Sequence, residues 1–373
     1  MQSAIGIIFG NTSSSILQGL AQDRPIAAVP FGGRYRLLDF ALSSMVNSGI
    51  RTVGLVTPQH YRPMLDHLGA GKDWSLDRKS GGLFILPGAI HGLIDYNSRF
   101  RLKDIQLNIE FLEKDSAENV VISSSDQVFN MDYRNALEHH TQKEADVTLI
   151  FKKTENPLDY VGRVNLRLTE SQRVYQMHSE EKVNEGELPW QYFVDILIIR
   201  RQLLLKIIEG YKGMESIELA DVIADNLERL RVQGYPFNGF VGRIRSVQDY
   251  FKRNMELLNT EIRETLFTST QPIHTKIRDN PPTKFGDKAS VKNSLISSGC
   301  TIEGDVENSI FSRGVVIEAG CKIKNCIIMS KCTISRNSIL ENAILDKFVE
   351  VNEGNILKGN EKNPLVVYKK AIV

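Results

Sequence analysis

In α/β proteins a bound nucleotide is held by a glycine-rich turn after the first buried strand, where backbone N–H groups close on phosphate. Residues 2–9 (QSAIGIIF) read as such a strand. Residues 29–57 supply the loop, amphipathic helix and second apolar strand that belong beside it. The turn between them is Gly10-Asn11-Thr12-Ser13-Ser14-Ser15-Ile16-Leu17, with one glycine and no Arg or Lys before Arg24. A scaffold for phosphate chemistry is expected here, without its phosphate cradle.

Other chemistries find less support. The four cysteines, Cys300, Cys321, Cys326 and Cys332, form no C-x-x-C pair, and no histidine follows His274. That pattern argues against a zinc site or a disulfide and for small core-filling thiols. A net charge of +1 gives no reason to expect a nucleic-acid or membrane partner. No apolar run is long enough to span a bilayer. The start MQSAIGIIFG lacks the basic region and cleavage site of a signal peptide, so a cytoplasmic location is expected.

The elements that would position a site fall into two halves of different period. With 373 residues, two domains are expected, each with its own core. Residues 1–262 alternate apolar strands (52–57, 119–125, 146–152, 193–199) with helical stretches (35–48, 103–114, 132–142, 216–232, 246–260). This alternation predicts a Rossmann-like α/β domain with a mostly parallel sheet and ligands beyond the strands' carboxyl ends. Residues 263–290 carry three prolines and no sustained period, and read as a linker. From 291 to 373 a repeat takes over. Asn308-Ser-Ile-Phe-Ser, Asn325-Cys-Ile-Ile-Met and Asn342-Ala-Ile-Leu-Asp recur at intervals of 17, and an earlier copy, Asn293-Ser-Leu-Ile-Ser, stands 15 residues before them. Ile317, Ile334 and Val351 match on the same period, as do Val306, Ile323 and Leu340. Aliphatics every five or six positions predict a parallel β-helix with three short faces per turn.

Val29-Pro30-Phe31-Gly32-Gly33-Arg34-Tyr35-Arg36, Asn47-Ser48-Gly49-Ile50, Met131-Asp132-Tyr133, Gly81-Gly82-Leu83-Phe84-Ile85-Leu86-Pro87 and Pro281-Pro282-Thr283-Lys284-Phe285 run collinearly through the chain. With the C-terminal repeats, they resemble the ADP-glucose pyrophosphorylase (glucose-1-phosphate adenylyltransferase) family. The resemblance implies a nucleotidyltransferase domain followed by a left-handed β-helix, and more narrowly the GlgD-type, non-catalytic regulatory branch.

The departures from the family pattern set the functional expectation. The family's G-G-x-G-x-R-L loop aligns with Gly10–Leu17, which has neither the arginine nor the glycine cluster. The lysine of A-K-P-A-V-P is Ile26, and G-T-A-D-A aligns with Phe100-Arg101-Leu102-Lys103-Asp104. The sugar-phosphate motif E-K-P aligns with Ser179-Glu180-Glu181, with Lys182 two places off. Of the two aspartates that hold Mg²⁺ in the family, the first is retained as Asp126 and the second is replaced by Arg243. A guanidinium cannot ligate a cation, so Asp126 and Arg243 are remnants of a degenerate cleft. Arg243 is expected to be solvated or paired with Asp126, and binding of a nucleotide phosphate without metal is the alternative. No catalytic residue, metal or cofactor is assigned, and Mg²⁺ is expected only on a catalytic partner. Arg24, Arg36 and Arg51 match basic positions of the family, the first two near its site for phosphorylated sugar effectors, and are candidates for an effector-anion site. Asp39 is read as structural.

The resulting expectation is a regulatory subunit that joins a catalytic ADP-glucose pyrophosphorylase chain as a heterotetramer in glycogen biosynthesis. An active sugar-phosphate nucleotidyltransferase with an altered cleft is the principal alternative. A stand-alone sugar-phosphate sensor is another. A β-helix acyltransferase would need a histidine base that the repeats lack.

Overall fold

The computed structural model describes residues 3–12, 14–89, 100–156, 162–179, 188–214 and 216–373. The N-terminal strands are β1 (Ala4–Phe9), β2 (Pro30–Phe31), β3 (Tyr35–Arg36), β4 (Thr52–Thr57), β5 (Gly82–Pro87), β6 (Asn119–Ser124), β7 (Gln127–Phe129), β8 (Val147–Thr154), β9 (Val164–Leu168), β10 (Val174–Ser179), β11 (Trp190–Arg200), β12 (Val232–Pro236) and β13 (Val241–Arg243). Helix α1 (Leu37–Asn47) connects β3 to β4.

β1 lies between β4 and β6 in parallel register, and β5 extends the sheet beyond β4. Strands covered on both faces need continuous apolar runs; β1 and β6 meet that need, with Ile5, Ile7, Ile8, Val120, Val121 and Ile122 at 0–1% exposure. Alternate residues feed two cores, Ile8 and Val121 on one face and Ile7 and Ile122 on the other. The sheet is more mixed than a plain strand–helix alternation predicts. β11 runs antiparallel to both of its main neighbours, β6 and β8, and β12 pairs parallel with β8. Short β7 and β13 pair separately as an antiparallel ribbon, which carries the crevice residues.

Helix boundaries depart from the periodicity in three places. The stretch 103–114 is two short helices, Leu102–Gln106 and Ile109–Glu113, and 216–232 is helical only over Leu219–Asp225. A further helix, Thr260–Leu266, occupies the start of the expected linker, because the Asn259 side chain caps it by accepting from Glu261 N. The first β-helix strand, Lys284–Phe285, also falls inside the expected linker.

The C-terminal domain is a left-handed parallel β-helix of three five-stranded sheets. Ile302, Ile317, Ile334 and Val351 stack in register on one inward column, each at most 1% exposed. The repeated asparagines explain themselves at the corners. Asn293, Asn308, Asn325 and Asn342 all take φ between 41° and 51°, a left-handed conformation that asparagine tolerates. Their amides also bond from coil to coil, Asn293 to Asn308 at 2.7 Å and Asn325 to Asn342 at 3.2 Å. The 15-residue first interval reflects a tighter corner at Gly304, where a Cβ would stand 2.7 Å from the Cys321 carbonyl oxygen.

One β-helix face does not meet water. Ile310, Ile327 and Ile344, the third residues of the repeat, are buried with Leu20, Phe31, Phe40, Tyr250 and Leu257 of the first domain. All four cysteines are buried and unbridged, and they pack into the β-helix core.

Candidate functional site

The crevice at the carboxyl ends of β1 and β4 is where a nucleotide would enter. Gly10 belongs to the packing there rather than to a cradle: its N–H bonds to the Val56 carbonyl at 2.9 Å, and a Cβ on it would lie 2.6 Å from Met64 Cε. Asn11 Nδ2 donates to Asp104 Oδ2 at 2.7 Å, and Ala89 N donates to Asp104 Oδ1 at 2.7 Å. The turn is thus tied to a buried carboxylate, and residues 14–21 form a 3₁₀ helix without an acidic or basic residue in its end turns. Asp104 is a site-shaping residue that sequence alignment marked only as part of an altered motif. Glu180, Glu181 and Lys182 lie outside the described residues.

Arg243 sits where the ribbon of β7 and β13 brings it opposite Gln127, and Ile244 N bonds to the Asp126 carbonyl at 3.0 Å. Arg243 Nε is 3.7 Å from Asp126 Oδ2 and 3.7 Å from Asp195 Oδ2. Its Nη1 donates to the Gly162 carbonyl at 3.3 Å. The expected pairing with Asp126 is therefore present, and a second carboxylate joins it. Asp195 comes from β11, far away in sequence, and no local pattern announced it. The set does not fit Mg²⁺: the metal needs hard oxygen ligands around an open centre, and here a guanidinium fills the space between the two carboxylates. Among the described residues no group of three or more His, Cys, Asp or Glu is arranged to hold a metal ion.

The three candidate arginines are not one cluster. Arg24 is buried, pairs with Asp346 of the β-helix, and donates from Nε to the Leu20 carbonyl at 2.9 Å. Arg36 starts α1, where its backbone N–H bonds to Asp39 Oδ2 at 2.9 Å and its Nη1 bonds to the Pro63 carbonyl at 2.5 Å. Asp39 is structural: its other oxygen is 2.6 Å from His67 Nε2, and it is fully buried. Arg51 follows the far end of the 11-residue α1, a helix about 16 Å long at 1.5 Å per residue. It bonds to the Val46 carbonyl at 2.7 Å and lines a surface cavity with Ser3, Ile5, Gly49 and Leu137, at the amino ends of β1 and β4.

Lys347, unlike Arg51, is close enough to Arg36, Arg24 and Asp346 to feel their charge. Burial, reinforced by Arg36 and Arg24 and opposed by Asp346, pushes its ammonium down to about 7. Burial likewise brings Arg36 down to about 10, with Arg24 and Arg278 adding to the effect against Asp39. Crowding of like charges and burial both disfavour the protonated forms. The repeat carried a signal for this: the fifth position is Ser297, Ser312 and Met329 in the earlier copies, and becomes Asp346, followed by Lys347, in the last.

A nucleotidyl transferase family model matches residues 5–259, and a GlmU-like C-terminal hexapeptide model matches residues 281–363. The chain is 34% identical over 367 residues to a protein of Bacillus subtilis named glycogen biosynthesis protein GlgD, covering 98% of this chain and 95% of that one. It is 30% identical over 371 residues to proteins of Bacillus cereus and Bacillus anthracis named glucose-1-phosphate adenylyltransferase, covering 97% of this chain and 96% of each. No helix among the described residues is long and apolar enough to cross a membrane. With both domains matched in order and nearly the whole chain aligned, the protein belongs to the ADP-glucose pyrophosphorylase family, on its GlgD-type branch.

Proposed function

We propose that this chain serves glycogen biosynthesis as a catalytically silent regulatory subunit, joining a catalytic ADP-glucose pyrophosphorylase chain in a heterotetramer. The observation that carries the reading is Arg243, seated between Asp126 and Asp195 where nucleotidyl transfer would need a divalent cation. The Gly10 N–H, bonded to the Val56 carbonyl, is a backbone donor of the turn that is not free to stabilise phosphate charge. In this reading the chain has no resident cofactor, and Mg²⁺ acts on the catalytic partner.

The regulatory half of the proposal rests on Arg24, Arg36 and Lys347 around Asp346, at the seam of the two domains. A phosphorylated sugar bound there would neutralise the crowded cations and bias the seam, which is how an effector acquires differential affinity for two subunit arrangements. Arg51 has no part in this site.

The test is reconstitution. The isolated chain should convert ATP and glucose 1-phosphate to ADP-glucose at no measurable rate, and Arg243→Asp alone should not restore turnover because Asn11 and Asp104 still close the turn. Mixed with a catalytic paralogue, it should form a complex by light scattering and change the rate or the effector response. Turnover by the isolated chain at the rate of an ordinary family enzyme would refute the silent-subunit reading. Absence of any complex or rate change over a broad effector panel would refute the partner reading.

A further inference from the structure

One sheet of the β-helix carries a charge arrangement that neither the core nor the crevice uses. Its strands are Ser290–Lys292, Asp305–Glu307, Lys322–Lys324, Ile339–Glu341 and Ile356–Lys358, each parallel to the next. The middle residue of a strand points inward, as the burial of Val306, Ile323 and Leu340 shows, so the flanking residues stand outward in two columns. One column reads Lys292, Glu307, Lys324, Glu341, Lys358. The other reads Ser290, Asp305, Lys322, Ile339, Ile356. On the second and third coils both columns agree in sign, Asp305 with Glu307 and then Lys322 with Lys324. About 400 Å³ of open space lies among these side chains, so their ends are the first atoms a neighbour meets. The ion pairs within the sheet, Lys324 to Glu307 and Lys358 to Glu341, are exposed. Such pairs hold their partners weakly and can exchange them.

A second copy of this chain fits the pattern in one arrangement. In an isologous contact a two-fold axis lays the same patch of both copies face to face. An axis along the stack of coils would set Asp305 on Glu307 and Lys322 on Lys324, like against like. An axis along the strands through the third coil would set Glu307 on Glu341. An axis along the strands between the second and third coils reverses the coil order and keeps each column on itself. It sets Asp305 on Lys322, Glu307 on Lys324 and Lys292 on Glu341 of the second copy, and symmetry makes each pair twice. We propose that this sheet is a homotypic docking surface that joins two copies of the chain in that register. Four coils at about 4.8 Å each span only about 19 Å, far less than an interface of roughly 800 Å² per partner needs. The contact is therefore weak and salt-sensitive, with its register set by charge. It goes beyond the regulatory reading and does not depend on it, because the chain meets itself.

Sedimentation velocity of the purified full-length chain tests it. The wild type should self-associate at low ionic strength, and that step should weaken in about 1 M sodium chloride, where the Debye length is about 3 Å. Asp305→Lys with Glu307→Lys makes the second and third coils both positive; Lys322→Asp with Lys324→Glu makes both negative. Each variant alone should associate at least about tenfold more weakly than the wild type, because like charges then face each other. Mixed in equal amounts, the two should recover the wild-type step. All four positions are exposed, and wild-type thermal midpoints by circular dichroism would show that both variants are folded. Association through any other surface is common to all samples and leaves the comparison intact. A wild type that does not self-associate at low salt, variants that associate as it does, or a mixture that fails to recover overturns the inference. So does a wild type that stays monomeric alone while either variant loses binding to a catalytic paralogue, which would give the sheet to that partner. Where a reversal variant fails to fold, Glu307→Gln with Lys324→Gln decides: it should associate more weakly than the wild type and with less salt dependence, and unchanged association overturns the inference.

Discussion

Replacing Asp346 with Asn isolates the charge at the domain seam. The carboxylate is 1% exposed and pairs with Arg24, itself 6% exposed. Asn retains an oxygen that can accept from Lys347 N, as Asp346 Oδ1 does at 2.6 Å, so the substitution removes charge more than hydrogen bonding. Breaking a buried ion pair by deleting one partner costs about 3–5 kcal/mol, because the other charge stays buried. Two features place the loss near the lower bound. Arg24 Nε keeps its bond to the Leu20 carbonyl, and Lys347, already pushed down to about 7, can release its proton. An anion that enters the seam replaces the missing charge: a hexose bisphosphate at one hundred times its dissociation constant would return about 2.7 kcal/mol. Urea denaturation followed by circular dichroism, with and without the hexose bisphosphate, measures both quantities. Asp346→Asn should lose stability and regain most of it with ligand, and Arg24→Met with Asp346→Leu should lie close to wild type without responding. An Asp346→Asn chain as stable as wild type, or one destabilised yet blind to the ligand, would show that the seam is not an anion seat.

Two further outcomes follow from the geometry. Ile334→Asp places an unpaired charge in a column that is sealed by Ile317 and Val351, and should cost several kcal/mol, about the penalty of burying an uncompensated polar group; loss of the cooperative urea transition checks it. For Lys347, whose folded pKa lies below its ordinary value, the unfolded chain binds more protons between about pH 7 and pH 10.5. Stability from this group therefore rises with pH across that window. An anion favours the protonated form, so its binding should take up a proton and weaken as pH rises above 7, measured by calorimetry in buffers of different ionisation heat; Lys347→Met should abolish the slope.

The β-helix was legible because its constraint is local and repeated: each 17-residue step must return Ile317, Ile334 and Val351 to one column. The buried strands β1, β4 and β6 were legible for a similar reason, being short apolar runs between polar turns. The sheet's mixed pairing was not. β11 is as apolar as its parallel neighbours, and direction is set by connections rather than by composition. Asp195 escaped notice, and Asp104 was marked only as part of an altered motif, because a carboxylate's role depends on what distant segments bring to it. Arg51 was grouped with Arg24 and Arg36 because all three match basic positions of the family, but α1 stands between Arg36 and Arg51 and separates the two by its own length.

The seam also limits how the chain meets others. The face carrying Ile310, Ile327 and Ile344 is enclosed within the chain, so only two sides of the prism are left to a neighbour. One presents Thr301, Val316, Thr333 and Glu350 as a low ridge of mostly β-branched side chains. The other presents Lys292, Glu307, Lys324, Glu341 and Lys358 in alternating sign, with Lys324 to Glu307 at 3.7 Å and Lys358 to Glu341 at 3.6 Å. A surface of alternating sign accepts a sliding neighbour of complementary charge only at positions that match plus to minus, and these recur every two coils. Contact on that side therefore has a ruler built into it, which the mostly β-branched side lacks.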